Sequence, residues 1–312
     1  MPASRLGFLA AVGAYVLWGL FPLYWPLLEP AAPVEILAHR IVWSLVFLVA
    51  LLGATTGFGV VRGLGRRRTG LLVLAAMLIT VNWGLFIHAV NSDQVVETSL
   101  GYFINPLVTV LLAVTVLGER LRRRQVIAVG IAAAGVVVLT LAYGRPPYIA
   151  LTLACSFGLY GLVKKHVGVD GTPSLAIETA VLTAPARASL GWLGGTGAGT
   201  FPTEGAGHVA LLAGGGIATA VPLILFGAAA VRIPLATVGL LQYIAPVMQF
   251  LIGVLVYGEP MPAGRLAGFA LVWVALAIFM ADALRTLRAG AAVVPDPPPS
   301  EAGAVTPVLA ER

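Results

Sequence analysis

The chain has 312 residues, of which 59% are hydrophobic and only 10% are charged, and Cys155 is its one cysteine. This composition excludes a soluble globular core, an internal disulfide and a cysteine-built zinc site, and it is typical of a helical protein that crosses a membrane many times. The net charge of +6 comes from short basic clusters between apolar runs, a distribution typical of membrane loops rather than of a nucleic-acid-binding surface.

Apolar runs separated by charge, glycine or proline predict ten transmembrane helices, each close to the ~20 residues that cross a bilayer. Helices rather than strands are expected because each backbone group must find its partner within the segment. The predicted helices 1 to 10 cover residues 6–26, 34–53, 70–90, 98–117, 125–143, 148–164, 174–193, 208–230, 236–256 and 265–284. The proline-rich composition after helix 10 predicts a disordered cytoplasmic tail, 286–312.

The basic residues predict which side of the membrane each loop occupies. With the N-terminus in the cytoplasm, fifteen of the nineteen Lys and Arg residues fall inside and three fall outside, while Arg40 lies within helix 2. Because Lys and Arg are enriched in cytoplasmic loops, we expect both termini to be cytoplasmic in a multi-pass protein of the inner membrane.

Helix 2 carries three ionisable residues in the stretch VEILAHRIVW, namely Glu35, His39 and Arg40. Each such charge near the bilayer centre costs ~2.5–3.5 kcal/mol on insertion scales, so a functional reason for them is expected. Glu35 and His39 share one helix face, and Glu35 could neutralise the two deeper side chains. In the alternative interpretation, Glu35 favours the start of a helix and Arg40 reaches out to the membrane interface.

Helices 3 and 4 add polar residues to the same half of the chain. Asn82 and Trp83 lie deep in helix 3 and are candidates for the wall of a cavity. Glu97 precedes helix 4 and would add a carboxylate at the outer mouth of that cavity.

Prolines lie mid-way along helices 4 and 9, at Pro106 and Pro246. A proline inside a helix leaves the carbonyl four residues before it without its hydrogen bond. These carbonyls would belong to Tyr102 and Gln242, whose side chains are also polar, and Asn105 and Tyr243 lie beside them. The symmetric pair predicts broken helices that line a cavity and act as hinges; the alternative is a kink that neighbouring helices accommodate.

An internal repeat links the two halves of the chain. Residues 85–119 and 225–259 align without a gap, and eleven of the thirty-five positions are identical. The resulting halves, 5–144 and 145–285, hold five helices each, and an odd number requires the second half to enter the membrane in the opposite sense. We therefore predict an all-α membrane protein of ten transmembrane helices in two inverted five-helix repeats, an architecture typical of secondary transporters.

The repeat also pairs two carboxylates, since Glu178 in helix 7 echoes Glu35 in helix 2. In an inverted arrangement the two would flank opposite mouths of one cavity. A carboxylate in a partly dry cavity binds a proton more readily than one in water. These positions predict two protonatable gates, and proton coupling is a hypothesis that rests on them.

Six separated motifs resemble those of RarD-type permeases, which belong to the EamA family of the drug/metabolite transporter superfamily. The motifs are EILAHR (35–40), NWGLFIHAVN (82–91), ETSLGYFINPLV (97–108), FGLYGLVKK (157–165), IET (177–179) and LLQYIAP (240–246). The resemblance implies ten helices in two halves, a bacterial inner membrane and transport without ATP. It places the family's polar signature on Glu35, His39, Arg40, Asn82, Trp83, Glu97, Tyr102, Asn105, Gln242 and Tyr243.

The sequence thus favours a secondary transporter of a small polar or amphipathic metabolite, such as an amino acid, that works without a cofactor. Its partners would be that substrate, the lipid bilayer and, in the coupled version, protons. An uncoupled facilitator or a lipid-like flippase of the same fold is the second interpretation. An intramembrane enzyme is a third, although the sequence offers no nucleophile–base set, metal cluster or phosphate-binding loop.

Overall fold

The computed structural model describes residues 3–55, 65–118, 120–167, 171–230, 232–233, 238 and 241–291. The regular elements of this part of the chain are helices joined by short connections. The α-helices are α1 (Ala3–Gly19), α2 (Pro33–Ala54), α3 (Arg66–Val90), α4 (Val95–Leu117), α5 (Arg123–Tyr143), α6 (Tyr148–Val167), α7 (Gly171–Thr196), α8 (Gly205–Ala230), α9 (Ile244–Leu251) and α10 (Ala263–Ala291). A short helix (Phe21–Tyr24) and a 3₁₀ turn (Trp25–Leu28) follow α1, and a π-helical turn (Ile252–Val256) follows α9.

The lengths and apolar composition of these helices are those of a multi-pass membrane protein. Six of the described helices are long and apolar enough to cross a bilayer, or up to seven if α1 and the bent segment after it form one span. Two further helices, Tyr148–Lys164 and Ile244–Val256, are apolar but shorter. The all-helical membrane class is therefore confirmed, while ten spans in two inverted repeats stay a prediction.

The first predicted helix is broken rather than continuous. The segment after α1 bends away by 44°, and its two helical turns each begin with a proline in the first positions, Pro22 and Pro26. A proline lacks the backbone donor that would continue a helix and fits the first turn of a new one. The break places the side chains of Phe21 and Trp25 over the interior of the bundle, where both are buried.

The two prolines predicted to be equivalent occupy different positions. Pro106 lies inside α4, which continues on both sides of it. Pro246 is the third residue of α9, where a missing donor costs little because the first turn has no internal acceptor for it. Residues 242 and 243 form a turn just before this helix, and the predicted role of Pro246 as a hinge stays a prediction. Residues 236–237 and 239–240 of predicted helix 9 lie outside the described residues.

At the chain's end, α10 continues to Ala291. It therefore includes the first residues of the predicted tail, 286–291, while 292–312 lie outside the described residues. The most extensive helix contacts are those of α1 with α8 and α9, α2 with α7 and α8, α3 with α6 and α7, α4 with α6 and α9, and α5 with α10.

Glycine permits the closest of these contacts. A Cβ atom on Gly216 of α8 would lie 2.4 Å from the backbone carbon of Trp43 in α2. On Gly268 of α10, a Cβ would lie 2.4 Å from the Cγ of Leu139 in α5. The near-contact of α2 and α8 brings polar groups of both helices together in the centre of the bundle.

Candidate functional site

Arg40 lies at the meeting point of α2 and α8 and is only 3% exposed. Its Nε–H donates a hydrogen bond to Oγ1 of Thr219 in α8 at 2.6 Å. The Thr219 hydroxyl in turn donates to the carbonyl of Gly215 at 2.9 Å, as threonines in membrane helices often do. The side chain thus points into the bundle, and the alternative that Arg40 reaches the membrane interface is wrong.

Three aromatic rings surround the Arg40 guanidinium. Its central carbon lies 4.0 Å from the ring centre of Trp83, 5.1 Å from that of Trp25 and 5.6 Å from that of Phe21. A cation over an aromatic face is attracted by the ring quadrupole, more strongly where water is excluded. The rings come from α3 and from the bent segment after α1, so three separate elements enclose the charge.

A second set of polar groups joins α3, α4 and α6 beside these rings. The Asn82 amide donates to the Leu153 carbonyl at 2.9 Å and to the Ser156 hydroxyl at 3.0 Å. The Tyr102 hydroxyl donates to Oδ1 of Asn82 at 3.4 Å. We call Arg40, Thr219, Phe21, Trp25, Trp83, Asn82 and Tyr102 the Arg40 cluster.

No carboxylate of the described residues neutralises Arg40. The ion pairs within 4.0 Å in this part of the chain are Arg122–Asp282, Arg145–Glu97 and Lys164–Glu178. The expectation that Glu35 neutralises Arg40 is therefore wrong, because the Glu35 side chain turns toward a loop instead.

Glu35 fixes the connection between α7 and α8. Its Oε1 accepts hydrogen bonds from the backbone N–H groups of Thr200 at 2.8 Å and Phe201 at 3.2 Å, while its buried Oε2 has no partner. His39, on the same side of α2, packs its ring 4.5 Å from that of Phe201, and its Nε2 has no partner either. Glu35 and His39 therefore lie on one face of α2, as predicted, and this face is turned toward the α7–α8 loop.

Beside His39 lies an apolar groove of about 480 Å³ between α2 and α7. Trp43 and Val46 of α2 face Thr183 and Leu190 of α7 across it. The groove is lined almost wholly by apolar surface, so its chemistry suits a lipid chain or the apolar part of an amphipathic molecule.

Glu178 is fully buried in α7 and paired with a cation. Oε1 of Glu178 lies 2.6 Å from Nζ of Lys164 and accepts a hydrogen bond from Ser174 at 2.8 Å, and Oε2 accepts one from Tyr160 at 3.1 Å. Lys164 also contacts Ser174. The sequence predicted Glu178 as a site residue but not these partners.

Glu97 and Glu259 hold the starts of neighbouring helices together. Glu97 pairs with Arg145 at 2.9 Å and accepts the backbone N–H of Ile149 at 3.0 Å. Glu259 accepts the backbone N–H of Val96 at 3.1 Å, and burial raises the pKa of its carboxyl group to about 7. Both line a cavity of about 260 Å³, at a face of the bundle that we call the Glu97 face.

The remaining predicted residues lie apart from these contacts. Oδ1 of Asn105 and the hydroxyl of Tyr243 are buried without a hydrogen-bond partner, and Gln242 is half-buried. Tyr243 packs against the core formed by residues such as Leu100 and Phe103 of α4. Within the described part of the chain, no hydrogen bond connects these side chains to the Arg40 cluster.

Sequence reasoning missed three members of the cluster, Phe21, Trp25 and Thr219. The aromatic-rich stretch FPLYWP and a threonine in an otherwise apolar helix were the available signals. Neither pattern indicates which helix the side chain will meet.

Known proteins match the chain along most of its length. Residues 5–141 match the EamA-like transporter family. Protein RarD of Streptomyces exfoliatus is 56% identical over 91% of this chain and 91% of its own, and the uncharacterized transporter YojE of Bacillus subtilis (strain 168) is 43% identical over 92% and 97%. A solved crystal structure that is 20% identical covers 88% of this chain and 96% of its own with a TM-score of 0.54, which is a likeness of fold.

These relatives extend over nearly the whole described bundle, including α2, α3 and α8, which build the Arg40 cluster. The two relatives are similar to this chain well beyond the first half that the family match covers. The chain therefore belongs to the EamA-like transporter family, as a membrane transporter of the RarD type.

Proposed function

We propose that the chain is a secondary transporter that moves a small polar or amphipathic metabolite across the inner membrane by alternating access, without ATP. The observation that carries this proposal is the Arg40 cluster, a buried polar centre built from both halves of the sequence. Arg40 and Trp83 come from the first half and Thr219 from the second. A site at the interface of two halves can be exposed to either side when the halves move relative to each other.

The helix contacts support two inverted repeats, 5–144 and 145–285. When α1 to α5 are exchanged with α6 to α10 in order, the helix pairs with the most extensive contacts map onto one another: α1–α8 onto α3–α6, α1–α9 onto α4–α6, and α2–α8 onto α3–α7. The pairs α2–α7, α4–α9 and α5–α10 map onto themselves. This is the pattern expected of a pseudo-two-fold axis, and with the basic-residue count it supports ten spans with both termini in the cytoplasm.

Proton coupling would depend on carboxylates that gain and lose a proton during transport. Glu35 is the better candidate, because its Oε2 is buried without a partner. Glu178 is the second candidate, and its pair with Lys164 would have to open for it to be protonated. Asn105, Gln242 and Tyr243, with Pro106 and Pro246, stay candidates for the substrate pathway and its hinges.

An uncoupled facilitator or lipid-like flippase is the second candidate function. It is favoured by the apolar groove beside His39, which has room for an apolar chain at the side of the bundle. Such a protein would equilibrate its substrate without accumulating it.

The test is flux in proteoliposomes with an imposed pH gradient, using labelled amino acids and small aromatic compounds. The Glu35→Gln variant keeps an oxygen that can accept the two backbone N–H groups but loses the titrating carboxyl. Gradient-driven accumulation that is lost in Glu35→Gln, and kept in the control Glu29→Gln at an exposed carboxylate, is expected of a coupled transporter. Saturable equilibration that is unchanged by Glu35→Gln would favour the facilitator, and flux equal to that of empty liposomes would contradict both.

A further inference from the structure

Arg40 brings a positive charge into the bundle, and no residue that the structure describes pairs with it as a counter-charge. Taking an ion out of water costs several kcal/mol even after the protein relaxes. The described neighbours of Arg40 are the neutral Thr219 hydroxyl and three aromatic faces. These contacts lower the cost of burial but leave the charge unbalanced.

The hydrogen bonds of Arg40 are also incomplete. Of the five N–H groups of a guanidinium, only the one on Nε has an acceptor in the described part of the chain. The unused Nη1 and Nη2 groups form the edge that binds a carboxylate through two parallel hydrogen bonds.

We propose that Arg40 binds the carboxylate of the transported substrate. This inference rests on the proposed transporter function and names the chemical class of its substrate. One guanidinium balances one negative charge, which favours a monocarboxylate. The rings of Trp25, Trp83 and Phe21 favour an apolar or aromatic body attached to that carboxylate, because they offer apolar surface beside the charge.

A purely structural role for Arg40 makes different predictions. In that case the guanidinium would only hold α2 to α8 through Thr219. Replacing Arg40 would then lower stability, but the protein would not distinguish a carboxylate from a neutral molecule of the same shape.

Binding to the full chain in detergent separates these roles. The probes are three pairs of an acid anion and its neutral amide: benzoate and benzamide, phenylacetate and phenylacetamide, and isovalerate and isovaleramide. Affinity is read from tryptophan fluorescence, because the Trp83 ring lies 4.0 Å from the guanidinium carbon, with thermal stabilisation as a second readout.

We expect at least one acid anion to bind the unaltered protein about 10-fold or more tightly than its amide. Arg40→Gln should weaken that anion's binding about 10- to 100-fold and remove the preference. Arg40→Lys should keep part of the preference, since it keeps the charge but not the planar fork. Arg67→Gln removes an exposed arginine away from both cavities and is the matched control, which should leave the preference unchanged.

Equal binding of acid and amide in all three pairs would overturn the inference, as would a preference that survives in Arg40→Gln. If Arg40→Gln does not fold, Arg40→Lys decides the question, because an undiminished preference in that variant contradicts a role for the fork. Flux of the same probes in proteoliposomes separates the two proposals. An acid that binds through Arg40 but is never transported overturns the transporter and leaves the site, whereas flux without any acid preference overturns the site and leaves the transporter.

Discussion

Among the buried charged residues of the part of the chain that the structure describes, Arg40 and Glu178 have opposite surroundings. Glu178 is fully buried and meets a cation, Lys164, and two hydroxyl groups. Arg40 is almost as deeply buried and meets one neutral hydroxyl and three rings. The charge of Glu178 is thus balanced inside the protein, whereas no described residue balances that of Arg40, which is the charge that the proposed substrate would balance.

The largest expected effect is a loss of stability on breaking the balanced pair. Glu178→Gln leaves Lys164, with only 19% of its side chain exposed, without a counter-ion. Removing one partner of a buried pair typically costs about 3–5 kcal/mol. We expect a clearly lower Tm in detergent, and a smaller loss in the double variant Lys164→Met/Glu178→Gln. A Tm equal to that of the unaltered protein would mean that the charge of Glu178, like that proposed for Arg40, serves function and not stability.

Overpacking the contact between α2 and α8 should be the next largest effect. Gly216→Ala places a methyl group 2.4 Å from the backbone of Trp43, and such overpacking costs about 1–3 kcal/mol. Because Thr219 is three residues away on the same helix, the Arg40–Thr219 hydrogen bond should lengthen and transport should fall together with the Tm. Gly227→Ala in the same helix meets nothing within 4 Å, so it is the control that should change neither.

Replacing Arg40 by an apolar residue tests the other half of the comparison. Arg40→Met removes the desolvated charge and fills much of the same space. Substitutions of this kind are often neutral or stabilising, so we expect the Tm to change by less than the equivalent of about 1 kcal/mol while transport is lost. A drop as large as that of Glu178→Gln would mean that the charge of Arg40 is structural.

The smallest effect concerns Glu259, a carboxylate on the Glu97 face that accepts a backbone N–H and lies near Asp93 and Arg265. Burial raises its pKa from 4.5 to about 7, so between these pH values the folded chain holds more protons than the unfolded one. Stability should therefore fall as pH rises through this interval. Glu259→Gln should flatten that part of the Tm–pH curve, and an unchanged slope would assign it to other groups.

The sequence predicted most of what depends on position along a helix. Apolar runs located the helices, and the spacing of Glu35 and His39 predicted their common face. Four predicted site residues, Arg40, Asn82, Trp83 and Tyr102, do meet in one cluster. All four come from the first predicted half, 5–144, and the resemblance places all four in one polar signature.

Contacts between distant helices could not be predicted in the same way. Glu35 binds backbone groups of Thr200 and Phe201, which any sequence would offer at those positions. Thr219 reaches Arg40 because Gly216 lets α2 and α8 approach closely. The same helix contains several other glycines, so the sequence does not show which of them marks the contact. Periodicity tells which face is polar but does not identify the neighbour on that face.

The break after α1 has a mechanical consequence for the Arg40 cluster. Phe21 and Trp25 lie beyond the break, so part of the wall around the guanidinium belongs to a short segment and not to a full-length helix. Two tyrosine hydroxyls connect that segment to the rest of the molecule, Tyr24 donating to the Leu211 carbonyl at 2.6 Å and Tyr257 donating to the Pro22 carbonyl at 2.7 Å. A rotation of this segment about its joint with α1 would expose Arg40 while α2 and α8 stayed packed. Access to the cluster would then require the movement of one short segment and not of a whole repeat.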